Sequence, residues 1–298
     1  AEQETAVGGE ILRLAMPYET MPAQYHWEQL LKLGQPLVEA ALPTTDQVMT
    51  LIYTSGSTGK PKGAIQTFAS YGWACEAVIR DLKTNTADRL LSYLPLAHIT
   101  ERVAIEGSSF YSGATVCFVE SLDSFVDDIQ RCRPTVFFSV PRLWTVFQLN
   151  IINKIGEKKL NTLLKLPIIS SIVKRKIKKG LGLDQSRLNG SGSAPIPPSL
   201  LQWYNTIGID ICEAWGMTEN CAYSIINYPF NAKKIGTVGR PVEGCLVRQS
   251  EQGELLVKSP GLMTGYYLQE EATAAAFTED GFFHTGDLCE IDDEGYID

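Results

Sequence analysis

Between Val48 and Thr54 the chain reads VMTLIYT, an apolar run rich in β-branched residues that predicts a strand. From Thr67 to Arg80 the apolar positions recur at helical spacing. The alternation continues downstream. RLLSYLPL (89–96) and ATVCFVE (114–120) predict strands, SFVDDIQRC (124–132) an amphipathic helix, TVFFSV (135–140) a buried strand and RLWTVFQLNII (142–152) a helix. RLNGSG (187–192) reads as a strand end, PPSLLQWYNTIG (197–208) as a proline-started helix and IDICEAWG (209–216) as another strand. Strands alternating with helices build a layered α/β unit around a mostly parallel sheet. Beyond Lys234 the helical spacing fades. GTVGRPV (236–242), CLVRQ (245–249), GELLVKSP (253–260) and FFHTGDLCEIDDEGYID (282–298) are short strands between Gly and Asp turns, which predict a small β-sheet or β-barrel subdomain. Before Val48 the chain is proline-punctuated, with one helix expected around Tyr25–Lys32. The expected organisation is a weakly periodic segment 1–47, an α/β core 48–235 and a β-rich segment 236–298.

Composition narrows the class without naming a function. A chain of 298 residues with 44% hydrophobic and 20% charged positions has the makeup of a globular protein. A net charge of -8 argues against a nucleic-acid partner. The seven cysteines (75, 117, 132, 212, 221, 245, 289) form no CxxC pair and the three histidines (26, 98, 284) stand apart, so neither a disulfide framework nor a zinc site is expected. No apolar run approaches the roughly 18 residues of a membrane span, and AEQETAVGGE lacks a signal-peptide pattern, so a cytoplasmic protein is expected. One stretch departs from this balance. Residues 154–179 hold nine Lys and Arg against the single Glu157, a local charge of +8 that leaves -16 for the rest. Interleaved with LLKLPIISSIV, it reads either as a basic amphipathic element for peripheral contact with an anionic membrane or as a solvated lysine-rich helix pair.

The strongest chemical signal follows the first strand. SGSTGKPKG (55–63) offers backbone N–H groups, hydroxyls and lysines suited to a polyphosphate. A Walker loop needs four residues between its glycines and a hydroxyl after the lysine. Here two residues separate Gly56 from Gly59, and Lys60 is followed by Pro61, which has neither hydroxyl nor N–H. That rejects a kinase-type loop and leaves a phosphate cover or a Gly/Ser linker. SGSAP (191–195) leaves small residues where a flat ring could approach. EAWGMTEN (213–220) supplies Trp215 for stacking, Thr218 as a donor and Glu219 as an oxygen ligand for a hard cation. HTGDL (284–288) puts Asp287 at a turn, where a carboxylate suits two ribose hydroxyls. Taken singly, each also reads as a turn or a core position.

In this order, YTSGSTGKPKG (53–63), PLAH (95–98), SGSAP, WGMTE (215–219), GELLVKSPGLMTGYY (253–267) and FFHTGDL (282–288) resemble the motifs of the adenylate-forming superfamily, from about residue 48 onward. LPLAHITER (94–102), ESLDSFVDDIQRCRPTVFFSVPRLW (120–144) and GLGLDQSRLNGSGSAPIPPSLLQWY (180–204) resemble its long-chain fatty acyl-CoA synthetase branch. The resemblance implies a layered αβαβα large domain with a small β-barrel subdomain, segment 1–47 being a remnant of the N-terminal subdomain. It implies that a fatty acid, ATP with Mg2+, and coenzyme A react through an acyl adenylate. Thr54, Ser55, Gly56, Ser57, Thr58, Gly59 and Lys62 would cover the β- and γ-phosphates. Ser193, Ala194, Glu213, Ala214, Trp215, Gly216 and Met217 would surround the adenine, and Asp287 would take the ribose. Thr218 would meet the α-phosphate, Glu219 with Thr54 would hold magnesium, and His98 would position the acyl carboxylate. Trp215 stands where the family usually has Tyr, and Glu213 where many members have an amide. The chain ends before the family's hinge and small C-terminal domain, which is expected to be absent. An acyl-AMP ligase that loads a carrier protein, and a non-catalytic nucleotide- or acyl-binding fragment, stay open. A fatty tail needs an apolar tunnel, with Trp73, Ile99, Val103, Phe137, Phe138 and Leu143 as candidate walls.

Overall fold

A computed structural model describes residues 14–15, 25–34, 41–54 and 61–298. The chain divides into two compact units at Pro43/Thr44. In the first, β1 (Leu14–Ala15) pairs in parallel with β2 (Tyr25–His26), and α1 (Trp27–Leu33) follows. The second unit carries everything below.

The strand expected at 48–54 is β3 (Val48–Thr54). It pairs antiparallel with β4 (Lys62–Thr67), a strand that the sequence pattern left unassigned. Thr54 faces Lys62 across the register, so β3 and β4 pair as a hairpin. A Walker loop runs from a strand into a helix, so this hairpin adds a topological reason to reject one. Thr67 then caps α2 (Phe68–Leu82): its hydroxyl accepts from Ser70 N at 3.1 Å, and Thr67 N donates to Ser70 Oγ at 3.0 Å.

After β5 (Arg89–Ser92) the expected strand stops four residues early. The chain turns through His98 into a π-helical segment, Glu101–Gly107, continued by α3 (Ser108–Ser112). Close packing on α2 selects a glycine at 107, where an added Cβ would lie 2.2 Å from Cys75 Sγ. β6 (Thr115–Phe118) pairs in parallel with β5, and α4 (Phe125–Cys132) leads to β7 (Val136–Ser139). Three consecutive helices follow: α5 (Pro141–Ile155), α6 (Glu157–Leu164) and α7 (Pro167–Gly180). The chain then forms β8 (Leu188–Ser191), α8 (Pro198–Thr206), β9 (Ile211–Trp215), β10 (Ile225–Ile226) and β11 (Arg240–Pro241). The five-stranded sheet has the order β11-β10-β9-β8-β7, parallel through β7, β8 and β9 and antiparallel beyond.

Two clusters of apolar side chains bury this sheet. Around Trp144 the rings of Phe137, Phe147 and Tyr204 meet edge to face, with centroids 5.1 to 6.2 Å apart. Trp144 Nε1 donates to Gly190 O at 3.3 Å, which satisfies the indole inside the core. The second cluster centres on α2, β5 and Val103.

Of the two forms expected for the β-rich part, the structure has the small β-sheet. β12 (Leu246–Gln249), β13 (Glu254–Lys258) and β15 (Phe283–Leu288) form a three-stranded antiparallel sheet, and α9 (Glu270–Ala275) packs nearby. β14 (Gly265–Tyr266) instead pairs with β4, and β11 belongs to the central sheet. Strand pairing therefore crosses the boundary expected at 235/236, because residues 236–298 supply edge strands to both neighbouring sheets.

Candidate active site

Parallel strands direct their carboxyl ends to one side of a sheet, where open α/β folds leave a crevice for ligands. The register here aligns Ser139 and Ser191, the last residues of β7 and β8, with Glu213 in the middle of β9, which runs on to Trp215. Each strand gives way to a short connection, and two of these connections carry the motifs singled out above.

After β8, Gly192 and Ser193 turn the chain. Ser193 holds φ +66°, a left-handed conformation costly for a non-glycine residue and characteristic of functional turns. After β9, Gly216 and Met217 lead into one 3₁₀ turn, Thr218–Asn220. Asn220 Oδ1 accepts from Met217 N at 2.7 Å and closes that turn. Cys221 and Ala222 follow in left-handed conformation and fold the chain back over Gly216. An added Cβ on Gly216 would lie 2.3 Å from Ala222 C, so only glycine fits. The turn is pinned from outside as well. Buried Gln66 donates to Thr218 O at 2.7 Å, and Met263 N donates to Glu219 O at 2.7 Å. Tyr266 Oη donates to Glu219 Oε1 at 2.9 Å, and burial followed by the Glu219 charge pushes this phenol well above its ordinary pKa. Lys62 Nζ stands 5.0 Å from the centre of the Tyr266 ring.

The HTGDL turn is held the same way. Glu254 accepts from Gly286 N at 2.8 Å with one oxygen and pairs with His284 Nδ1 at 2.9 Å with the other. Asp287 Oδ2 accepts from Trp215 Nε1 at 2.9 Å, which ties β15 to the end of β9.

One cleft of about 780 Å³ is lined by Thr54, Lys62, His98, Ser193, Gly216, Met217, Thr218, Glu219 and Asp287. A second hollow of about 630 Å³ is lined by Ser193, Ala194, Glu213, Ala214, Trp215, Gly216, Met217 and Asp287. They share Ser193, Gly216, Met217 and Asp287, so they form one continuous site of small-molecule size. Every expected site residue that the structure describes lines it. Ser55, Gly56, Ser57, Thr58 and Gly59 lie outside the described residues.

Electrostatics distinguish the two halves. Burial pushes the Glu213 carboxyl up to about 7, against a weak opposing bond from Gly236 N at 3.3 Å. Burial also moves the half-buried His98 below its ordinary value, which favours a neutral imidazole. No three His, Cys, Asp or Glu side chains cluster among the described residues. Magnesium is commonly held by one or two carboxylates together with phosphate oxygens and water. Glu219, with the Thr54 hydroxyl also on the cleft wall, fits that donor set.

The expected acyl walls divide. Val103 and Phe138 line a small, mostly apolar cavity of about 50 Å³ that shares Thr100, Ser193 and Gly216 with the main cleft, and Ile99 lines the cleft itself. Trp73 packs against Gly244 and Gly261, while Phe137 and Leu143 belong to the Trp144 cluster. These three are core, because apolar residues next to a sheet read alike whether they face a tunnel or a neighbour. The small cavity also contains a residue that the sequence reading missed. Glu101 is 2% exposed; its Oε2 accepts from Leu94 N at 3.3 Å, its Oε1 has no partner, and burial raises its pKa. Glu101 just before the apolar Val103, Ala104 and Ile105 was the available signal, and a weak one beside Arg102 and Glu106. Gln66, Glu254 and Tyr266 were missed too, since each acquires a role only through contacts distant in sequence.

The α/β architecture with this crevice is that of the N-terminal domain of adenylate-forming enzymes. A family model described as AMP-binding enzyme matches residues 4–267, and the chain belongs to that family. Long chain acyl-CoA synthetase 3 of Arabidopsis thaliana is 33% identical over 313 residues, covering 91% of this chain and 47% of that protein. Long-chain-fatty-acid–CoA ligase FadD15 of Mycobacterium bovis is 34% identical over 293 residues, covering 87% and 47%. Among solved structures, o-succinylbenzoate CoA synthetase (MenE) from Bacillus subtilis, in complex with the acyl-adenylate intermediate OSB-AMP, superposes with a TM-score of 0.70. It shares 28% identity and covers 92% of this chain and 54% of its own. The chain spans about half the length of the curated relatives it matches.

Proposed function

We propose that the protein is a long-chain fatty acid–CoA ligase that activates a fatty acid with ATP and passes the acyl group to coenzyme A. The observation that supports it most is the convergence of Thr54, Lys62, His98, Ser193, the 216–219 turn and Asp287 on one cleft beyond the carboxyl ends of β8 and β9. In this reading the fatty carboxylate attacks the α-phosphate of ATP and pyrophosphate leaves. The thiol of coenzyme A then attacks the acyl carbon and AMP leaves. No protein nucleophile is needed, so the residues act by position and charge.

Trp215, Ala214, Ala194 and Glu213 form the hollow for the adenine, and Asp287 accepts the ribose hydroxyls. Thr218 donates to the α-phosphate. Lys62 offers positive charge to the leaving pyrophosphate, and the 55–59 loop is assigned to the same phosphates. Glu219, oriented by Tyr266, would hold magnesium with Thr54, and the bound ion would neutralise charge developing on the phosphates. His98, neutral at physiological pH, positions the acyl carboxylate. The fatty nature of the acid rests on the named relatives. A cavity of about 50 Å³ is far below the roughly 300–1,000 Å³ of ordinary ligand pockets, so a chain-length panel decides the acid's size.

Pyrophosphate release from ATP, measured with acids from acetate to palmitate, tests the proposal. Release that rises with chain length and consumes coenzyme A is the expected result. Release with no acid sinks the ligase reading, and transfer to a carrier's phosphopantetheine arm but not to coenzyme A makes the protein an acyl-AMP ligase.

A further inference from the structure

The basic stretch of the sequence forms α6 and α7, and the structure separates the two readings left open for it. Along α7, Ser170 and Ile177 are buried, with the partly buried Val173 between them at helical spacing. The opposite face, at 100° per residue, carries Ile168, Ile172, Arg175, Lys176 and Lys179. All five are exposed, Ile168 at 80% and Ile172 at 51%. Leu166 and Ile169 extend the apolar end, and Lys165 stands beside it, also exposed. Among the described residues none of the nine basic side chains of 154–179 stands in an ion pair. A lysine-rich helix built only for solvation has no use for isoleucines on its outward face.

We propose that this face of α7 rests on an anionic lipid bilayer, with Leu166, Ile168, Ile169 and Ile172 entering the headgroup boundary and Arg175, Lys176 and Lys179 meeting the lipid charge. The cations occupy the same face as the isoleucines, and their long aliphatic stems let the charged ends reach the phosphates while the helix lies flat. Charge complementarity selects an anionic surface: the segment carries +8 in a chain of net charge -8, so the rest of the molecule is repelled and the contact is confined to this face. Contact is peripheral, since no described helix is long and apolar enough to cross a membrane. A nucleic-acid duplex would use the lysines but leave the isoleucines in water. The inference is independent of the ligase reading.

Sedimentation of the full chain with phosphatidylcholine vesicles, with and without phosphatidylserine, tests it at 0.1 M and 1 M salt. Each basic residue near such a surface is worth about fivefold in partitioning. Replacing Arg175, Lys176 and Lys179 by glutamine should therefore weaken binding to phosphatidylserine vesicles about a hundredfold at low salt. Ile168→Asn with Ile172→Asn should weaken it by on the order of tenfold or more and abolish whatever binding survives 1 M salt, where screening falls to about 3 Å. All five positions are exposed, so the melting temperature should hold in both variants and separates lost binding from lost fold. Equal binding to vesicles without phosphatidylserine, unchanged binding by either variant, or retention on duplex DNA without retention on vesicles would each overturn the proposal.

Discussion

Glu213→Gln is the most quantitative perturbation the site offers. Glu213 is 7% exposed in the middle of β9, and its carboxyl receives one long bond, from Gly236 N at 3.3 Å. Burial, with a smaller push from the Asp298 charge, lifts its pKa from 4.5 to about 7. Two and a half pH decades at about 1.4 kcal/mol each come to about 3 kcal/mol. The folded value lies above the unfolded one, so the folded protein binds this proton more tightly. The associated stability is fully present below about pH 4.5 and is lost as pH rises through about 7. Glutamine keeps the shape and the acceptor for Gly236 N but never ionises. Urea unfolding followed by tryptophan fluorescence should find the variant more stable than the parent by about 1 kcal/mol at pH 5 and about 3 kcal/mol at pH 8. The difference between the two proteins cancels the opposite trend of paired carboxylates such as Asp280, held down to about 2 by Arg248. A gain of equal size at both pH values, or a loss at pH 8, would show that Glu213 is not held protonated by burial.

Two further substitutions probe the supports of the site, with one control, and a third probes a buried ion pair of the core. Tyr266→Phe removes the 2.9 Å bond to Glu219 Oε1 and should slow adenylate formation about tenfold or more with the fold intact, a bond to a charged group being worth about 1.5–3 kcal/mol; an unchanged rate removes Tyr266 as the positioning group. Gly216→Ala forces a methyl to within 2.3 Å of Ala222 C and should cost about 3 kcal/mol or more, read from the urea midpoint. Gly180→Ala, whose new methyl meets nothing within 4 Å, is the control and should shift that midpoint little. Arg187→Ala strands the 3%-exposed Asp88, which the guanidinium contacts at 2.7 and 3.0 Å, and should cost about 3–5 kcal/mol at neutral pH. That cost should shrink as acid protonates Asp88, a carboxyl that burial raises but that bonds from Arg187 and Thr135 hold net below its ordinary value.

Most elements of the α/β core were legible because each carries its own period and its own stop signals. Pro141 opens α5 and Gly156, at φ +85°, closes it; Thr67 and Ser70 cap α2 reciprocally. What escaped was decided by distant neighbours. KGAIQT contains a glycine and mixed polarity, and it becomes a strand through pairing with β3 on one side and β14 on the other. The π-helical segment depends on packing against α2, where Tyr71 Oη donates to Arg102 O at 2.6 Å. In the candidate site, Trp215, Thr218, Glu219 and Asp287 were recognisable as ordered motifs. Their holders were not. Gln66 reaches Thr218 across 152 residues, Tyr266 reaches Glu219 across 47, and Glu254 reaches Gly286 across 32, and no local pattern encodes such pairs. Core and tunnel walls were likewise inseparable, since both need only apolar bulk.

Exchange of labelled pyrophosphate into ATP, dependent on added palmitate, bears most directly on the claim that the cleft forms an acyl adenylate. Exchange should appear in the parent protein, vanish without a fatty acid, and fall at least a hundredfold in Glu219→Gln at unchanged thermal stability. Exchange that persists in Glu219→Gln, or that no fatty acid elicits in the parent, would contradict that claim.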